Sequence, residues 1–292
     1  RFEPPDNPER MGTMLRGMVG RFESGQLQPL PTQNFSADET RDAFRYMQQG
    51  KHIGKVVVDY RGGIEEVFPG EVADVDFKAD RTYWIAGGLG GFGLRVAQWL
   101  VDSGVKHLVL GGRSKDVPAP TAMTLDRWRD EGVNVRVIPV DLTSMASVQS
   151  VVEEIDANCP ALAGVFHTAM ILEDRLLADL DPSTLTRVLR PKVQGGWNLH
   201  AATSDHDLDC FVLFSSLSSV FGHAGQANYS AANEFLDSLA HCRRALGMPG
   251  LAINWGHVGE VGYLAERSEL SERLERQGVL TFSADEAMQC LN

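Results

Sequence analysis

A glycine-rich run at residues 87–93, between a short apolar segment and an amphipathic one, places the strongest constraint on the fold. Within it, glycines at 88, 90 and 93 have the spacing G-x-G-x-x-G. Glycine there allows a tight turn, close approach of a pyrophosphate to the backbone, and close packing of a helix on a strand. The run predicts a strand-turn-helix unit that binds a dinucleotide, although a turn whose glycines serve packing alone is the alternative. The predicted contacts are Gly88, Gly90, Gly91, Phe92 and Gly93.

From residue 81 onward, short apolar runs alternate with longer amphipathic ones. This alternation is typical of βαβ units, in which helices cover both faces of a parallel sheet. The predicted strands are residues 83–86, 107–110, 135–140, 164–167, 211–214 and 251–254. The predicted helices are residues 93–102, 123–131, 145–157, 184–189 continuing toward 199, and 231–245. Right-handed crossovers then give a doubly wound α/β fold whose ligand crevice lies outside the carboxyl ends of the strands.

Residues 1–80 depart from that alternation. The predicted elements here are helices at 11–22 and 37–48, an extended segment at 28–32, a strand at 53–59 and a linker at 59–80. The segment is too short and too interrupted to be expected to fold around a core of its own. We therefore expect an N-terminal appendage of residues 1–58 and a large domain of residues 81–292.

Charge and hydropathy exclude several classes of protein. A formal net charge of −12 argues against a general nucleic-acid binder, whose phosphate contacts need a clustered basic face. The sequence has no run of eighteen apolar residues and no charged start followed by an apolar stretch, so neither a membrane span nor a secretory signal is predicted. The four cysteines are too scattered for a zinc or redox motif, and no metal site is predicted. These features favour a cytoplasmic protein.

The residues after the second predicted strand indicate which nicotinamide cofactor the chain binds. An NAD site normally has Asp or Glu there to hold the ribose 2′-hydroxyl, whereas this chain has Arg113 and Ser114. A guanidinium gives a planar, bidentate match to a 2′-phosphate, and the serine adds a donor. The pattern favours NADPH. The weaker alternative is that Arg113 is a solvated loop charge.

Two further strand ends supply candidate cofactor contacts. Asp141, followed by Leu142, is placed to accept a hydrogen bond from an adenine amino group. An equal alternative is that Asp141 caps the helix predicted to begin at residue 145. After the fourth strand, His167, Thr168 and Ala169 border the nicotinamide side of the crevice. His167 itself is interpreted as a packed strand-end histidine rather than an acid or base.

Ser216 and Tyr229, thirteen residues apart, are the candidate donors to a carbonyl oxygen. A tyrosine titrates near ~10 when unperturbed, so it needs a nearby cation to donate a proton close to neutral pH. The usual short-chain dehydrogenase has a lysine four residues after this tyrosine, where this chain has Asn233. Lys192 lies on the preceding helix, at the place of the usual asparagine. The exchange of Lys192 and Asn233 preserves the same set of groups.

That exchange closely resembles the ketoreductase domain of modular polyketide synthases and animal-type fatty acid synthases. The resemblance covers residues 81–292, with the motifs GGLGGFG, GGRS, GVFHTAM, RPKVQGGWNLH, FSS…GQANYSAAN and INWG. It implies a Rossmann fold of the short-chain dehydrogenase/reductase type. It also implies that Tyr229 donates the proton, Ser216 orients the carbonyl and Lys192 activates the tyrosine and touches the ribose. Asn233 would support the proton relay.

The same family carries a fingerprint for the hand of its product. A Leu-Asp-Asp loop after the fourth strand accompanies one alcohol, and a tryptophan three residues before the tyrosine accompanies the other. This chain has Leu172, Glu173 and Asp174 in the loop and Gln226 at the tryptophan position. The resemblance therefore favours the D-alcohol. The alternative for the two acids is that they begin a helix, near its positive dipole end.

The leader extends the resemblance. Residues 36–58 resemble the carboxyl end of a medium-chain enoylreductase, a domain that precedes the ketoreductase in fully reducing synthases. This implies NADPH-dependent reduction of a β-ketoacyl thioester on acyl carrier protein, in a synthase that includes enoylreductase and dehydratase domains. The loop at 256–267 is expected to cover the substrate.

Three alternatives remain open. The first is the same reduction in a fatty acid synthase, which the sequence does not separate from a polyketide synthase. The second is a free-standing reductase of small ketones, which the enoylreductase-like leader disfavours. The third is a noncatalytic scaffold domain, which is disfavoured because the chain keeps the glycine turn, Tyr229 and Lys192.

Overall fold

The computed structural model describes residues 8–60, 76–114, 116–259 and 281–291. The chain divides into two compact units, Arg1–Ala73 and Asp74–Asn292. Within the described ranges no helix is long and apolar enough to cross a membrane.

Among its described residues, the first unit contains two helices and a two-stranded parallel sheet. Its elements are α1 (Pro8–Glu23), β1 (Thr32–Ser36), α2 (Thr40–Gln48) and β2 (Lys55–Asp59). A single 3-10 turn, Ala37–Glu39, precedes α2, and β1 follows the segment predicted to be extended. The sequence TQNFS of β1 has one apolar residue, so its pattern does not predict a strand. Among the described side chains of this unit, only Ala43 is buried, as expected for a segment without its own core.

The described residues of the second unit form a six-stranded parallel sheet with helices on both faces. Its strands are β3 (Thr82–Ala86), β4 (His107–Gly112), β5 (Asn134–Pro139), β6 (Leu162–His167), β7 (Cys210–Ser216) and β8 (Leu251–Trp255). Its helices are α3 (Gly91–Asp102), α4 (Ala119–Asp130), α5 (Met145–Asn158), α6 (Pro182–Ala202), α7 (Leu217–Phe221), α8 (Ala227–Ala245) and α9 (Ala284–Gln289). The strand order is β5-β4-β3-β6-β7-β8, which confirms the predicted doubly wound fold.

The central strand β3 is buried on both faces. Tyr83 and Ile85 pack into one apolar cluster, whereas Trp84 and Ala86 pack into a second cluster on the opposite face. Side chains of a strand point alternately to its two faces, so the continuous run TYWIA serves both clusters at once. Burying each large apolar side chain stabilises the fold by roughly 1.5–3 kcal/mol.

Two helices near the predicted site differ from expectation. Helix α8 begins at Ala227, four residues earlier than predicted, so that Tyr229 lies in its first turn. Helix α7 is absent from the predicted elements because it has only five residues and starts directly after β7. It is anchored by Ser216, whose Oγ accepts a hydrogen bond from the backbone N–H of Ser218.

The strand order reverses beside β3. The chain goes from β3 outward to β4 and β5, and then returns to β6 on the other side of β3. The helices after β3 and β6 therefore leave on opposite faces and open a crevice at the carboxyl ends of these strands. The glycine-rich turn between β3 and α3 lies at this crevice.

Candidate active site

A cleft of about 690 Å³ lies at the carboxyl ends of the strands of the second unit. Most of the predicted site residues line it. They are Gly90, Gly91, Phe92, Gly93, Arg113, Asp141, Leu142, Thr168, Ala169, Leu172, Asp174, Lys192, Ser216, Gln226 and Tyr229. The predicted site residues outside the lining are Gly88, Ser114, His167, Glu173 and Asn233.

The glycines of the turn have two separate uses. A Cβ atom at Gly93 would lie 2.1 Å from the carbonyl oxygen of Gly87, so this glycine lets α3 pack on the turn. A Cβ atom at Gly90 would meet nothing within 4 Å. Gly90 is also the N-cap of α3 and has no side chain to satisfy the first N–H groups of the helix. The residues of this first turn line the cleft, where such N–H groups can bind an anion.

The end of β4 presents a cation to the cleft. Arg113 is exposed and lines the cleft. The neighbouring Ser114 turns away, because its Oγ accepts from the N–H of Asp116 at 3.0 Å and lies 3.2 Å from the carboxylate of the same residue. Of the two predicted residues, Arg113 is thus the one that can reach a phosphate.

Asp141 does not cap α5. The N-cap is Ser144, whose Oγ accepts from the N–H of Ser147, so the capping interpretation is wrong. Asp141 instead accepts from the N–H and the Oγ1 of Thr143, at 2.9 and 2.8 Å. These hydrogen bonds hold the pKa of its carboxyl below the usual value, so it stays an ionised acceptor at the cleft wall.

His167 is a packed residue. Its Nε2 donates to the carbonyl oxygen of Pro191 at 3.1 Å, and its Nδ1 is buried without a partner among the described residues. Burial, with a smaller effect from Lys192, lowers the pKa of His167 to about 3. The neutral imidazole supports α6 from behind the cleft, whereas the next two residues of the chain line the cleft itself.

Lys192 is buried beneath the cleft, with Nζ 5.7 Å from the ring centroid of Tyr229. Its Nζ donates to the carbonyl oxygen of Phe214 at 2.6 Å. Burial lowers the pKa of Lys192 to about 7, against the opposing effect of Asp237. The ammonium can therefore exchange a proton near neutral pH while it is held against the tyrosine.

Tyr229 and Ser216 both line the cleft. Burial raises the pKa of Tyr229, while the side chains of Asn233 and Ser216 act in the opposite direction. The tyrosine hydroxyl donates to Sδ of Met170 at 3.8 Å, a weak acceptor that a carbonyl oxygen can replace. Asn233, one turn later on α8, donates from Nδ2 to the carbonyl oxygen of Tyr229 at 2.8 Å. It braces the helix that carries the tyrosine, and its own side chain stays outside the cleft lining.

The two acids after β6 occupy different surroundings. Asp174 lines the cleft and accepts from Nε2 of Gln226, with O–N distances of 3.2 and 3.3 Å. Glu173 lies outside the lining and forms an ion pair with Arg187 at 3.1 Å. The backbone carbonyl of Glu173 accepts from Nδ2 of Asn228 at 2.9 Å, which joins this loop to the start of α8.

Sequence reasoning missed several residues of the cleft. Trp255 lines it, with its ring centroid 4.9 Å from that of Phe92, which was predicted. His223 also lines it, and its ring centroid lies 6.5 Å from that of His257, which belongs to the predicted covering loop. Trp255 is the last residue of β8, so its position at a strand terminus was the signal that could have identified it. The rest of the predicted covering loop, from residue 260 to residue 267, lies outside the described residues.

Comparison with known proteins identifies the family. The family model described as KR domain matches residues 81–260. This chain belongs to the KR domain family. A second family model, described as zinc-binding dehydrogenase, matches residues 5–58. Both matches confirm the family and the leader fragment that the motifs predict.

The curated relatives are polyketide synthases. Squalestatin hexaketide synthase clz14 of Cochliobolus lunatus is 40% identical over 275 residues, which cover 92% of this chain and 10% of that protein. Compactin diketide synthase mlcB of Penicillium citrinum is 41% identical over 267 residues, which cover 89% of this chain and 10% of that protein. This KR domain chain therefore spans about a tenth of the length of these relatives.

Solved ketoreductases share the fold. The A-type ketoreductases from a modular polyketide synthase match with a TM-score of 0.69 at 37% identity, covering 74% of this chain and 45% of theirs. The ketoreductase domain from the bacillaene assembly line matches with a TM-score of 0.69 at 26% identity, covering 87% of this chain and 62% of that structure. KR domains are NAD(P)H-dependent reductases, so this KR domain is of an oxidoreductase type found in multidomain synthases.

Lys192→Met should make the stability of this KR domain less dependent on pH. The folded-state pKa of about 7 lies below the ordinary 10.5, so the unfolded chain binds more protons between these values. The cost of burying the charge is thus fully present below pH 7 and is relieved as the pH rises. Relative to the wild type, Lys192→Met should therefore raise the free energy of unfolding more at pH 6 than at pH 9. The two increases should differ by on the order of 2 kcal/mol.

Denaturant unfolding at the two pH values measures this difference. Lys106→Met, which removes an exposed lysine, serves as the control and should give the same change at both. If Lys192→Met changes the free energy of unfolding equally at pH 6 and at pH 9, the buried ammonium does not titrate in this range.

Proposed function

We propose that this chain reduces the ketone of a β-ketoacyl thioester carried on acyl carrier protein, with NADPH as the reductant, to a D-β-hydroxyacyl thioester. The observation that carries the proposal is the joint placement of Lys192, Tyr229 and Ser216 at a cleft that begins at a glycine-rich helix N-terminus. A cation, a proton donor and a second hydroxyl donor are the groups that carbonyl reduction requires.

The cleft residues suit a phosphorylated dinucleotide. The uncapped N-terminus of α3 at Gly90 would hold the pyrophosphate, and Arg113 would hold the 2′-phosphate. Asp141 would accept from the adenine amino group. Bound NADPH supplies the hydride that reaches the carbonyl carbon.

Lys192 would make Tyr229 a better acid. A protonated lysine near a phenol stabilises the phenolate and so counteracts the rise in pKa that burial causes. Its bond to the carbonyl of Phe214 holds the ammonium in place without neutralising it. The tyrosine then donates its proton to the alkoxide oxygen as the O–H bond of the alcohol forms, and the lysine stabilises the resulting phenolate.

Ser216 would orient the carbonyl. Its Oγ accepts from the N–H of Ser218, and its hydroxyl can also donate a hydrogen bond to a ligand. Because Ser216 ends β7 and Tyr229 lies in the first turn of α8, both donors are fixed to regular elements. The two hydroxyls would hold the oxygen on which negative charge develops.

The mouth of the cleft suits an acyl chain. Met170, Leu217 and Phe221 line the cleft and expose much of their apolar surface. The similarity to polyketide synthases supports delivery of the acyl chain by the phosphopantetheine arm of an acyl carrier protein. The zinc-binding dehydrogenase match before the KR domain supports an enoylreductase as a neighbouring domain, with a dehydratase elsewhere in the synthase.

The arrangement of the loop after β6 supports the proposed D-configuration of the product. Asp174 faces the cleft and is fixed by Gln226, the residue at the position where the other class has tryptophan. Glu173, by contrast, pairs with Arg187 outside the cleft lining, so we assign the steering of the substrate to Asp174.

Tyr229→Phe should lower the rate of NADPH oxidation with a simple β-ketoacyl thioester by roughly 10²–10⁴-fold, because the proton donor is lost. NADPH binding, measured by fluorescence, should persist. Tyr46→Phe, which removes a hydroxyl bonded to the carbonyl of Lys51 in the first unit, is the control and should keep full activity. Equal rates for the wild type and the Tyr229 variant would exclude this mechanism.

Arg113→Ala should reduce the preference for NADPH over NADH by roughly 10–100-fold in kcat/KM, because a charge-assisted hydrogen bond contributes about 1.5–3 kcal/mol. Steady-state kinetics with both cofactors measures the ratio. Arg129→Ala removes an arginine that pairs with Asp126 on α4, and it should leave the ratio unchanged. An unchanged preference in the Arg113 variant would contradict the phosphate assignment.

Chiral chromatography of the product should show the D-alcohol from the wild-type chain. Asp174→Ala should lower the excess of that hand, since it removes the carboxylate that faces the cleft. Asp126→Ala, a change on the remote helix α4, should not. A predominantly L-product from the wild type would overturn the assignment.

A further inference from the structure

A carboxylate that the proposed reaction does not use lies behind the active site. Asp237 is on α8, eight residues after Tyr229, and residues spaced by four share a helix face. Its Oδ2 accepts from Oγ of Ser219 at 2.6 Å and from Nδ2 of Asn254 at 2.9 Å. Its Oδ1 is buried and has no hydrogen-bond partner among the described residues.

The same hydrogen bonds reach the end of β7. Nδ2 of Asn254 also lies 3.2 Å from Oγ of Ser215, and Oγ of Ser219 lies 2.8 Å from the carbonyl oxygen of Ser216. Asp237 therefore joins α8 to β8 and α7 at the turn that carries Ser216. The carboxylate of Asp237 thus accepts hydrogen bonds from side chains of two different elements, α7 and β8.

A buried carboxylate oxygen without a hydrogen bond calls for a compensating positive charge. Lys192 is the matching group, since it is buried as well and its Nζ has one acceptor, the carbonyl oxygen of Phe214, in the described part of the chain. Asp237 raises the pKa of Lys192, against the effect of burial. Oδ1 of Asp237 and the ammonium of Lys192 are thus two buried groups of opposite charge that can still accept or donate further hydrogen bonds within the described residues.

The other groups around Lys192 do not supply this charge. His167, on β6, stays neutral because burial lowers its pKa to about 3. Tyr229, on α8, stays neutral because burial raises its pKa. Asp174, in the loop after β6, acts on the tyrosine from the cleft side. On β7, the contact is the uncharged carbonyl oxygen of Phe214.

We propose that Asp237 is a positioning residue of the reductase, which supplies the counter-charge of Lys192 and fixes the serine turn that carries Ser216. This inference rests on the proposed function. Asp237 lies outside the cleft lining and acts through Lys192. Its carboxylate keeps the ammonium protonated at the pH where Tyr229 donates its proton.

Asp237→Asn tests the charge while it preserves the shape. Losing the carboxylate should lower the pH at which Lys192 loses its proton by about one unit. Titration of the lysine ¹³Cε resonance by NMR in the full chain measures this directly, with Lys192→Met to assign the signal. The alkaline limb of the kcat/KM profile for NADPH oxidation should move to lower pH by the same amount.

Glu234→Gln is the matched control. It removes an exposed carboxylate from the same helix, three residues before Asp237, and should change neither the titration nor the profile. Asp237→Glu keeps the charge and should restore the wild-type titration. If Asp237→Asn does not fold, Asp237→Ser, which leaves room for water, replaces it in the same measurements.

A Lys192 titration that is the same in the wild type and in a folded Asp237→Asn variant would overturn the inference. Because the NMR titration needs no substrate, it separates the inference from the proposed function. A wild-type chain without NADPH turnover would contradict the proposed function. A Lys192 titration that does not depend on Asp237 would contradict only the proposed counter-charge.

Discussion

The carboxyl ends of six parallel strands meet at one edge of the sheet, and every feature of the site depends on this arrangement. The reversal of strand order beside β3 keeps that edge open, since helices leave it on opposite faces. The glycine turn, Arg113 and Asp141 follow the first three strands of the unit. Ser216 ends β7, and the helices that flank it bring in the lysine and the tyrosine.

Placing a lysine on α6 rather than after the tyrosine has a physical consequence. Lys192 reaches Tyr229 from a neighbouring helix, and the approach buries the ammonium completely. Burial lowers its pKa to about 7, so its charge depends on what surrounds it. Those surroundings include the carbonyl of Phe214, and the carboxylate of Asp237 raises the pKa of the ammonium.

The sheet could be predicted from the sequence because each strand is an apolar run bounded by polar residues, and a parallel sheet needs such runs. The pairing of Ser216 with Tyr229 and the presence of Lys192 were also visible as motifs. The short helix α7 was not, because five residues carry too little periodicity to be recognised. The starts of α6 and α8 were each placed a few residues late, since their first turns are polar.

The sequence by itself determined the doubly wound fold, the family and the residue types of the site, because these depend on local patterns and on motifs. Only the tertiary structure decided which of those residues reach the cleft. Asp174 faces it and Glu173 does not, since Arg187 from α6 pairs with the latter. The contact of Asp237 with Asn254 joins residues 17 positions apart on α8 and β8, and no local pattern records a hydrogen bond between them.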